Sequence, residues 1–479
     1  MTLNSPTDHP KIGVDPQEYA RILENMQVYS GRYPSVEYHN AKGELCTREF
    51  CPLNVVQFAS ARMATLLYNE KCRINIADEK AKAFIDELFE RSSFNTNLQK
   101  YLEAEYAVGG LAIRPYYSNT AQAIRLSWCL PDRFFPLSSD PEETRDAVFI
   151  TKTREVIGNK VYYYSLFEFH EWDDNGDYVI TNELYESDTS AQIGAQVPLG
   201  TLEKYADLTE SVTFSNLTRP LFVYIRPAQM NNLNPDSPLG LGMCDNAKYT
   251  IDTINITHDK LRRNIDRARS GVIVAPEYIS TTQENGKTYQ VNDDDDLFLA
   301  IPGSINSDPY KEITIKIEPD EFITAINFEL RTFELQTGFS PGTFSFDGQS
   351  GLKTATEIVS ENSMTYQTRS KQTVVLGSAL KDLVRSTLEL GVALGLYAGE
   401  TDAETTVDFD DGVFQDKDAQ LDYYIKATAG KLMPRSIAVA RANNLSRKEA
   451  GEWDAMLKEE ETARTTAASQ AYAGITFGG

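Results

Sequence analysis

Between Ala247 and Ala268 the chain carries Ala, Ile, Ile, His, Leu, Ile and Ala at positions 247, 251, 254, 258, 261, 265 and 268. Steps that alternate four and three mark the seam of a helix packed along its length against a near-parallel neighbour. His258 is the one polar member, and it is read as a hydrogen-bonded packing residue rather than a ligand. The Pro/Asn-rich linker Asn231–Pro238 precedes this helix, which is expected to start near Leu239. Residues 271–318 then change character. Val272–Ala275 reads as a strand, Asn285-Gly286 as a hairpin turn, and Ile313, Ile315 and Ile317 alternate with polar residues. From Asp320 to Gln336 helical spacing returns through Phe322, Ile323, Ile326, Leu330 and Phe333, with Pro319 in the first turn. Helix, small β unit, helix is a restrictive order. The two helices are expected side by side in opposite directions, with the β unit at their far tip.

The rest of the chain fits an α+β, mainly helical class. Residues 1–50 read as a short arm holding a helix over Pro16–Gln27 that Tyr33-Pro34 breaks. Helices are expected over Leu53–Leu67, Lys80–Phe89 and Phe94–Val108, the last stopped by Gly109-Gly110. Strand alternation follows over Leu111–Tyr117, Ile124–Leu130, Ala147–Val156, Val161–Trp172, Tyr178–Tyr185 and Phe222–Arg226. Asn175-Gly176 supplies the positive φ angles of a tight hairpin turn. Gly338–Leu352 is a glycine-rich loop with Phe339, Phe344 and Phe346. A long helix over Lys353–Tyr397 is expected to kink near Thr373, with Val374, Leu376, Leu380, Leu383, Val384, Leu388 and Leu394 in the core. Thr405–Phe409 reads as a strand. Three helices follow over Asp416–Gln470: Gly430 stops the first, Pro434 opens the second, and the capping box Ser446-x-x-Glu449 opens the third.

Composition narrows the function. The formal charge is −24, whereas proteins that grip DNA phosphates over a large surface are basic. An acidic wall repels phosphate and lets DNA pass without sticking; acidity also serves solubility. The five cysteines form no C-x-x-C and their number is odd, which fits free thiols in a reducing compartment. Residues 1–15 lack a signal pattern, and no apolar run approaches the roughly 20 residues of a membrane span. No phosphate loop is present, since Thr281 stands where the first glycine of Gly286-Lys287-Thr288 would be needed. Gly240-Leu-Gly242 lacks the third glycine of a dinucleotide fingerprint. With only His9, His39, His170 and His258, a multi-histidine metal site is not expected, and no cofactor is. Two acidic clusters remain, Asp293–Asp296 and Asp408-Phe-Asp-Asp-Gly412. The second departs from the calcium loop at Gly412 and Ala419. A metal-dependent DNA-processing enzyme using one of these clusters is one function the acidic residues leave open.

Several segments carry a resemblance. They are Trp128–Pro136, Ser237-Pro-Leu-Gly-Leu-Gly242, Phe346-Asp347 with Leu352-Lys-Thr-Ala-Thr-Glu-Ile358, and Gly430-Lys-Leu-Met-Pro-Arg-Ser436. Together with the helix–β unit–helix order, they resemble the portal proteins of tailed bacteriophages, in the siphophage group typified by a Bacillus phage. The resemblance covers roughly residue 100 to the end. The alternatives to it are the metal-dependent DNA-processing enzyme and another virion ring or adaptor protein.

Residues 1–50 are assigned to an N-terminal arm by position only; the resemblance implies a wing over 51–236, stem helices over 237–270 and 319–337, and a clip over 271–318. A tunnel loop over 338–352, a long helix and second wing part over 353–415, and a helical crown over 416–479 complete it. The implied assembly is a ring of twelve at one capsid vertex of the virion, built in the host cytoplasm with no membrane. Its implied partners are the terminase large subunit, a head-completion adaptor, major capsid and scaffolding proteins, and duplex DNA in the channel. Ala247, Ile251, Ile254, His258, Leu261 and Ile265 would pack the stem. Ser340, Thr343, Ser345 and Gln349 would touch DNA through hydrogen bonds that read no sequence. Phe344 and Phe346 would pack on a neighbouring loop or narrow the bore; a loop packed on its own subunit is the plainer alternative. Lys260, Arg262, Arg263, Arg267 and Arg269 form either a basic collar or a favourable cation–dipole arrangement at a helix end. Asp293, Asp294, Asp295 and Asp296 would lie at the clip tip.

Overall fold

The computed structural model describes residues 1–39, 43–137, 140, 142–267, 270–274, 298–300, 310–314, 319–346, 362–409, 417–443, 450–460 and 462–463. Of these, 267, 270–274, 298–300, 310–314 and 417–420 are described by backbone alone. Two compact units emerge, residues 1–350 with 364–410, and 351–363 with 411–479.

The first unit opens with strand β1 (Thr2–Leu3) and helix α1 (Pro16–Ser30). Asp15 caps α1 by accepting the Gln17 N–H at 2.8 Å, and Gly31 ends it at φ 67°. The helix therefore runs past Gln27, and Gly31 rather than Tyr33-Pro34 stops it. Strands β2 (Val36–His39) and β3 (Leu45–Arg48) form a hairpin. Residues 1–50 are not a separate arm. Leu3 pairs with Gly194, and Ile22 is buried in the main core.

Helix α2 (Val55–Leu67) buries Val56, Ala59, Met63, Leu66 and Leu67, the stripe its spacing predicts. Strand β4 (Arg73–Ile76) is too short to be read from the sequence. Helices α3 (Glu79–Arg91) and α4 (Phe94–Val108) follow, and Gly109 ends α4 at φ 105°.

Strands β5 (Leu111–Ser118) and β6 (Ala123–Cys129) pair next, and β7 (Phe134–Pro136), β8 (Ala147–Ile157), β9 (Lys160–Trp172) and β10 (Tyr178–Ser187) build an antiparallel sheet. Gly176, at φ 82°, sits in the β9–β10 turn, where the Asp173 carboxylate accepts the N–H groups of Asn175 and Asp177 at 2.9 and 2.8 Å. Strands β11 (Gly194–Val197) and β12 (Ser211–Phe214) both pair with β10. The order is β1-β11-β10-β9-β8-β7, with β12 off that path. Strand β13 (Val223–Ile225) joins β5 to make β13-β5-β6.

Helix α5 (Met243–Arg267) starts four residues after the expected Leu239. The cause is steric. A Cβ on Gly242 would overlap the Ala107 carbonyl, and one on Gly240 the Gly109 carbonyl. The chain is pressed flat on the end of α4 here and turns helical only beyond it.

Strand β14 (Ser270–Val274) pairs in parallel with β15 (Phe298–Ala300) and antiparallel with β16 (Tyr310–Thr314). The Asn285-Gly286 turn, Ile315 and Ile317 lie outside the described residues. Helix α6 (Pro319–Thr337) matches its expected span, and α7 (Ser363–Ala393) is one continuous helix that includes Thr373. Its buried stripe is Leu376, Leu380, Leu383, Val384 and Leu388. Val374 is not part of that core: it sits on the opposite side of the helix, 72% exposed. Strand β17 (Thr405–Asp408) pairs antiparallel with β4. One core joins α1, α2, α4, β5, α5, α6 and α7 through residues such as Ile22, Met63, Leu98, Ile254, Leu330 and Leu380.

In the second unit, helices α8 (Lys417–Ala429) and α9 (Arg435–Asn443) and the helical residues 450–460 are described. The Gly430 N–H reaches the Lys426 carbonyl at 2.9 Å, and Lys431 takes the left-handed conformation. The Asp454 carboxylate accepts from Lys458 at 2.8 Å. The capping box at Ser446–Glu449 lies outside the described residues.

Candidate functional site

Helices α5 and α6 pack side by side. Ser270, just after α5, pairs with Thr314, just before α6. Both helices therefore open onto the same end of one strand pair and run antiparallel. Ile251 and Ile254 of α5 share a core with Ile326, Leu330 and Phe333 of α6. The expected seam is thus used inside the subunit over its first half. Ala247, Ile251 and Ile254 are buried, His258 and Leu261 are half-buried, and Ile265 is exposed. His258 Nδ1–H donates to the Cys51 carbonyl at 2.9 Å, a packing role.

The start of α5 is held by a polar network. The Asp245 carboxylate accepts from Arg21 at 2.6 Å, Asn25 at 2.8 Å and the Gly242 N–H at 2.8 Å. An acid in the first turn also suits the helix dipole. Burial pushes the Asp245 carboxyl up, and Arg21 and Asn25 oppose that. Glu18 accepts from Arg21, Asn231 and Ser237 at 3.1, 3.2 and 3.0 Å. One turn of linker, one turn of α1 and the head of α5 are thereby fastened together.

Farther along, Arg48 donates through both terminal nitrogens to Asp259 at 2.8 and 2.7 Å. Hydrogen bonding from Arg48 holds the Asp259 carboxyl below the usual range. Asn255 accepts the Leu53 N–H at 3.1 Å and donates to the Tyr33 hydroxyl at 2.9 Å. Sequence reasoning missed these residues. The sequence does not single them out, because α5 is rich in polar residues throughout, and their partners lie some 200 positions away.

Residues 338–346 form a built turn. Ser340 donates its N–H to Thr365 Oγ1 at 2.8 Å, and Ser340 Oγ accepts the Thr365 N–H at 3.1 Å. The Glu334 carboxylate accepts the N–H groups of Gly342 at 2.7 Å and Phe344 at 2.5 Å. Asn327 Oδ1 accepts the Phe346 N–H at 2.9 Å. Phe344 meets Phe339 edge-on at 4.9 Å and lies against Phe333. Two expectations are corrected. Ser340 is buried and its polar atoms are bound to Thr365, so it does not present itself to DNA. Phe344 packs on its own subunit, because Glu334 and the two neighbouring rings hold it there. Phe346 is 60% exposed, and Thr343 and Ser345 are half-exposed. Gln349 lies outside the described residues.

Of the basic cluster, Lys260 and Arg262 are exposed, and Arg263 is half-buried beside Asp259. Arg267 is described by backbone alone; Arg269 and Asp293–Asp296 lie outside the described residues. Among the described residues, no group of His, Cys, Asp or Glu could hold a metal ion, and no helix is long and apolar enough to cross a membrane. A groove of about 910 Å³ runs beside β13 and α7, where Arg219 pairs with Asp382 at 2.7 Å.

No curated protein matches the chain. Among solved structures it is similar to a chain from the neck of an empty gene transfer agent (GTA) particle computed with C6 symmetry. That match has 12% identity over 91% of this chain and 96% of the other, with a TM-score of 0.44. A chain from the neck of the native GTA particle, computed with C12 symmetry, is similar at 10% identity over 88% and 99%, with a TM-score of 0.37. The virion of the native GTA particle contains a third, at 12% identity over 89% and 93%, with a TM-score of 0.40. The family described as "Phage portal protein, SPP1 Gp6-like" matches residues 8–463. That span takes in α1, the sheets, the α5–α6 pair and α7, so the chain belongs to the phage portal protein family.

Proposed function

We propose that this chain is the subunit of a ring of twelve at one capsid vertex, through which DNA enters and leaves the head. The carrying observation is the family match over residues 8–463. The antiparallel pair α5 and α6 would form the stem, and the sheet β15-β14-β16 the clip at its tip. The clip would dock the terminase large subunit during packaging and a head-completion adaptor afterwards. The wing would meet the major capsid and scaffolding proteins. The second unit would serve as the crown. Assembly would take place in the host cytoplasm and end in the virion.

The role is mechanical rather than enzymatic. A chain of net charge −24 lines a passage that DNA slides along rather than grips. The energy for movement comes from another protein. Within the passage, Phe346 is the exposed tip of the built turn, and Thr343 and Ser345 stand beside it.

Phe346→Ala is the sharp test of that assignment, because it changes the exposed tip and spares the half-buried Phe344, which packs on its own subunit. Particles carrying it are expected to assemble normally and to package or retain less DNA. Full DNA content in such particles would show that the turn does not face the bore. Particles that fill with DNA when the whole chain is deleted would end the portal reading.

A further inference from the structure

Strand β8 outruns the strand beside it. β7 pairs with Ala147–Phe149 alone, and the Arg133 carbonyl accepts the Ile150 N–H at 2.9 Å. Past Ile150, β8 stays paired with β9 in unbroken register as far as Ile157 and Lys160. Along an antiparallel strand, alternate residues turn their backbone N–H and C=O to opposite edges. Ile150 faces β7, so Lys152, Arg154 and Val156 turn theirs to that same outer edge, where no strand is paired among the described residues. Such a row of backbone groups is a template for another strand.

The side chains of this edge run against the net charge of −24. Lys152, Arg154 and Val156 share one face of the sheet, and all three are exposed. Val156 is 56% exposed, and Ile157 at the hairpin tip 57%. Tyr163 and Val161 of β9 sit directly opposite Arg154 and Val156 on that face, half-exposed. Glu155 belongs to the other face. At the inner end of the edge, the Lys152 charge acts on the Asp132 carboxylate.

We propose that the outer edge of β8 takes an extended, acidic segment of another protein as an added strand. The hold comes from backbone hydrogen bonds at Lys152, Arg154 and Val156, and the selection from alternate side chains of the incoming segment. Carboxylates would stand opposite Lys152 and Arg154, and an aliphatic side chain opposite Val156. Opposite charges placed across a strand pair attract, and like charges repel. Charged side chains on an edge also ward off unwanted pairing. Here they ward off a second copy of β8, since antiparallel pairing of two such edges sets Arg154 against Arg154 or Lys152. They do not ward off a strand that carries carboxylates. The inference does not rest on the ring reading, because it uses only the β8–β9 hairpin and its edge.

The test is binding of a labelled peptide to the full chain, read by fluorescence anisotropy. The probe has seven residues: isoleucine at both ends, glutamate third and fifth, and threonine between. Its order is the same from either end, so it serves a parallel or an antiparallel strand. It is expected to bind, and a peptide with lysines in place of the glutamates to bind about tenfold more weakly or worse. Methylating the backbone nitrogens of either the glutamates or the threonines, whichever face β8, is expected to abolish binding, and methylating the other set to weaken it little. Val156→Pro keeps both cations and removes an N–H that β9 does not use, so the hairpin is expected to stay folded and the peptide to bind about tenfold more weakly. The double variant Lys152→Glu with Arg154→Glu is expected to prefer the lysine peptide, which a merely misfolded chain would not show. No binding of the glutamate peptide, equal binding of both peptides, or binding that survives both methylations would overturn the inference. Self-association of the wild type that the peptide blocks and Val156→Pro abolishes would make the occupant a second copy, and would overturn it too.

Discussion

The Glu334 carboxylate of α6 accepts the backbone N–H of Phe344 at 2.5 Å, ten residues further along the chain. The same carboxylate accepts the Gly342 N–H at 2.7 Å, so one buried acid shapes the turn that leaves the helix. Glu334→Ala would orphan both donors at a cost of about 1–2 kcal/mol. It is expected to speed amide exchange at residues 342–346 with little effect elsewhere. Unchanged exchange there would show that the phenylalanine cluster alone holds the turn.

Ile254 and Leu261 occupy the same seam but differ in burial, since Ile254 is fully buried and Leu261 half-buried. Ile254→Asp sets an unpaired charge inside the subunit core and is expected to cost at least about 4 kcal/mol of protomer stability. Leu261→Asp is expected to cost about 1–2 kcal/mol. Urea unfolding under dissociating conditions separates the two. Equal midpoints, with assembly lost in both, would mean that the seam serves contacts between subunits instead.

Gly242 lies against the Ala107 carbonyl with no room for a side chain. Gly242→Ala must push α5 off the end of α4 and is expected to lower stability by about 2–3 kcal/mol. Gly158, at φ 64°, has open space where a methyl group would go, with nothing within 4 Å. Gly158→Ala is expected to cost about 1 kcal/mol, from backbone strain alone. A thermal melt that ranks them the other way would contradict the packing at Gly242.

Burial pushes the Glu105 carboxyl up to about 8 from an ordinary 4.5. The folded chain thus holds a proton that the unfolded chain releases between those values. The sign follows: this contribution is full below about 4.5 and is lost as pH rises toward about 8. Glu105→Gln removes the ionisation and is expected to make the chain more stable than wild type at pH 8, by about 1 kcal/mol or more. At pH 4.5 the two are expected to differ little. Identical pH profiles would mean that Glu105 is solvated.

Much of the fold was legible because local rules and tertiary packing agree. The stripe of α2, the span of α4 and the turn at Gly176 follow from apolar period, a helix-ending glycine and an Asn-Gly pair. What the sequence concealed depends on distant partners. Arg21 belongs to the head of α5 only because Asp245 meets it, 224 positions later. The delayed start of α5 needs the Ala107 carbonyl, and β4 needs β17. The site was legible in part. The α5 seam was found, but periodicity alone does not say whether the neighbouring helix belongs to the same chain. Here it does for Ile251 and Ile254. The aromatic loop was found too, whereas the inward turn of Ser340 and Phe344 depends on Thr365 and Glu334.

Electron microscopy of the purified chain, at low and high protein concentration, bears on the ring itself. Rings with a central hole wide enough for duplex DNA are expected. Compact particles without a hole at every concentration would contradict the assignment of this chain as a channel-forming subunit.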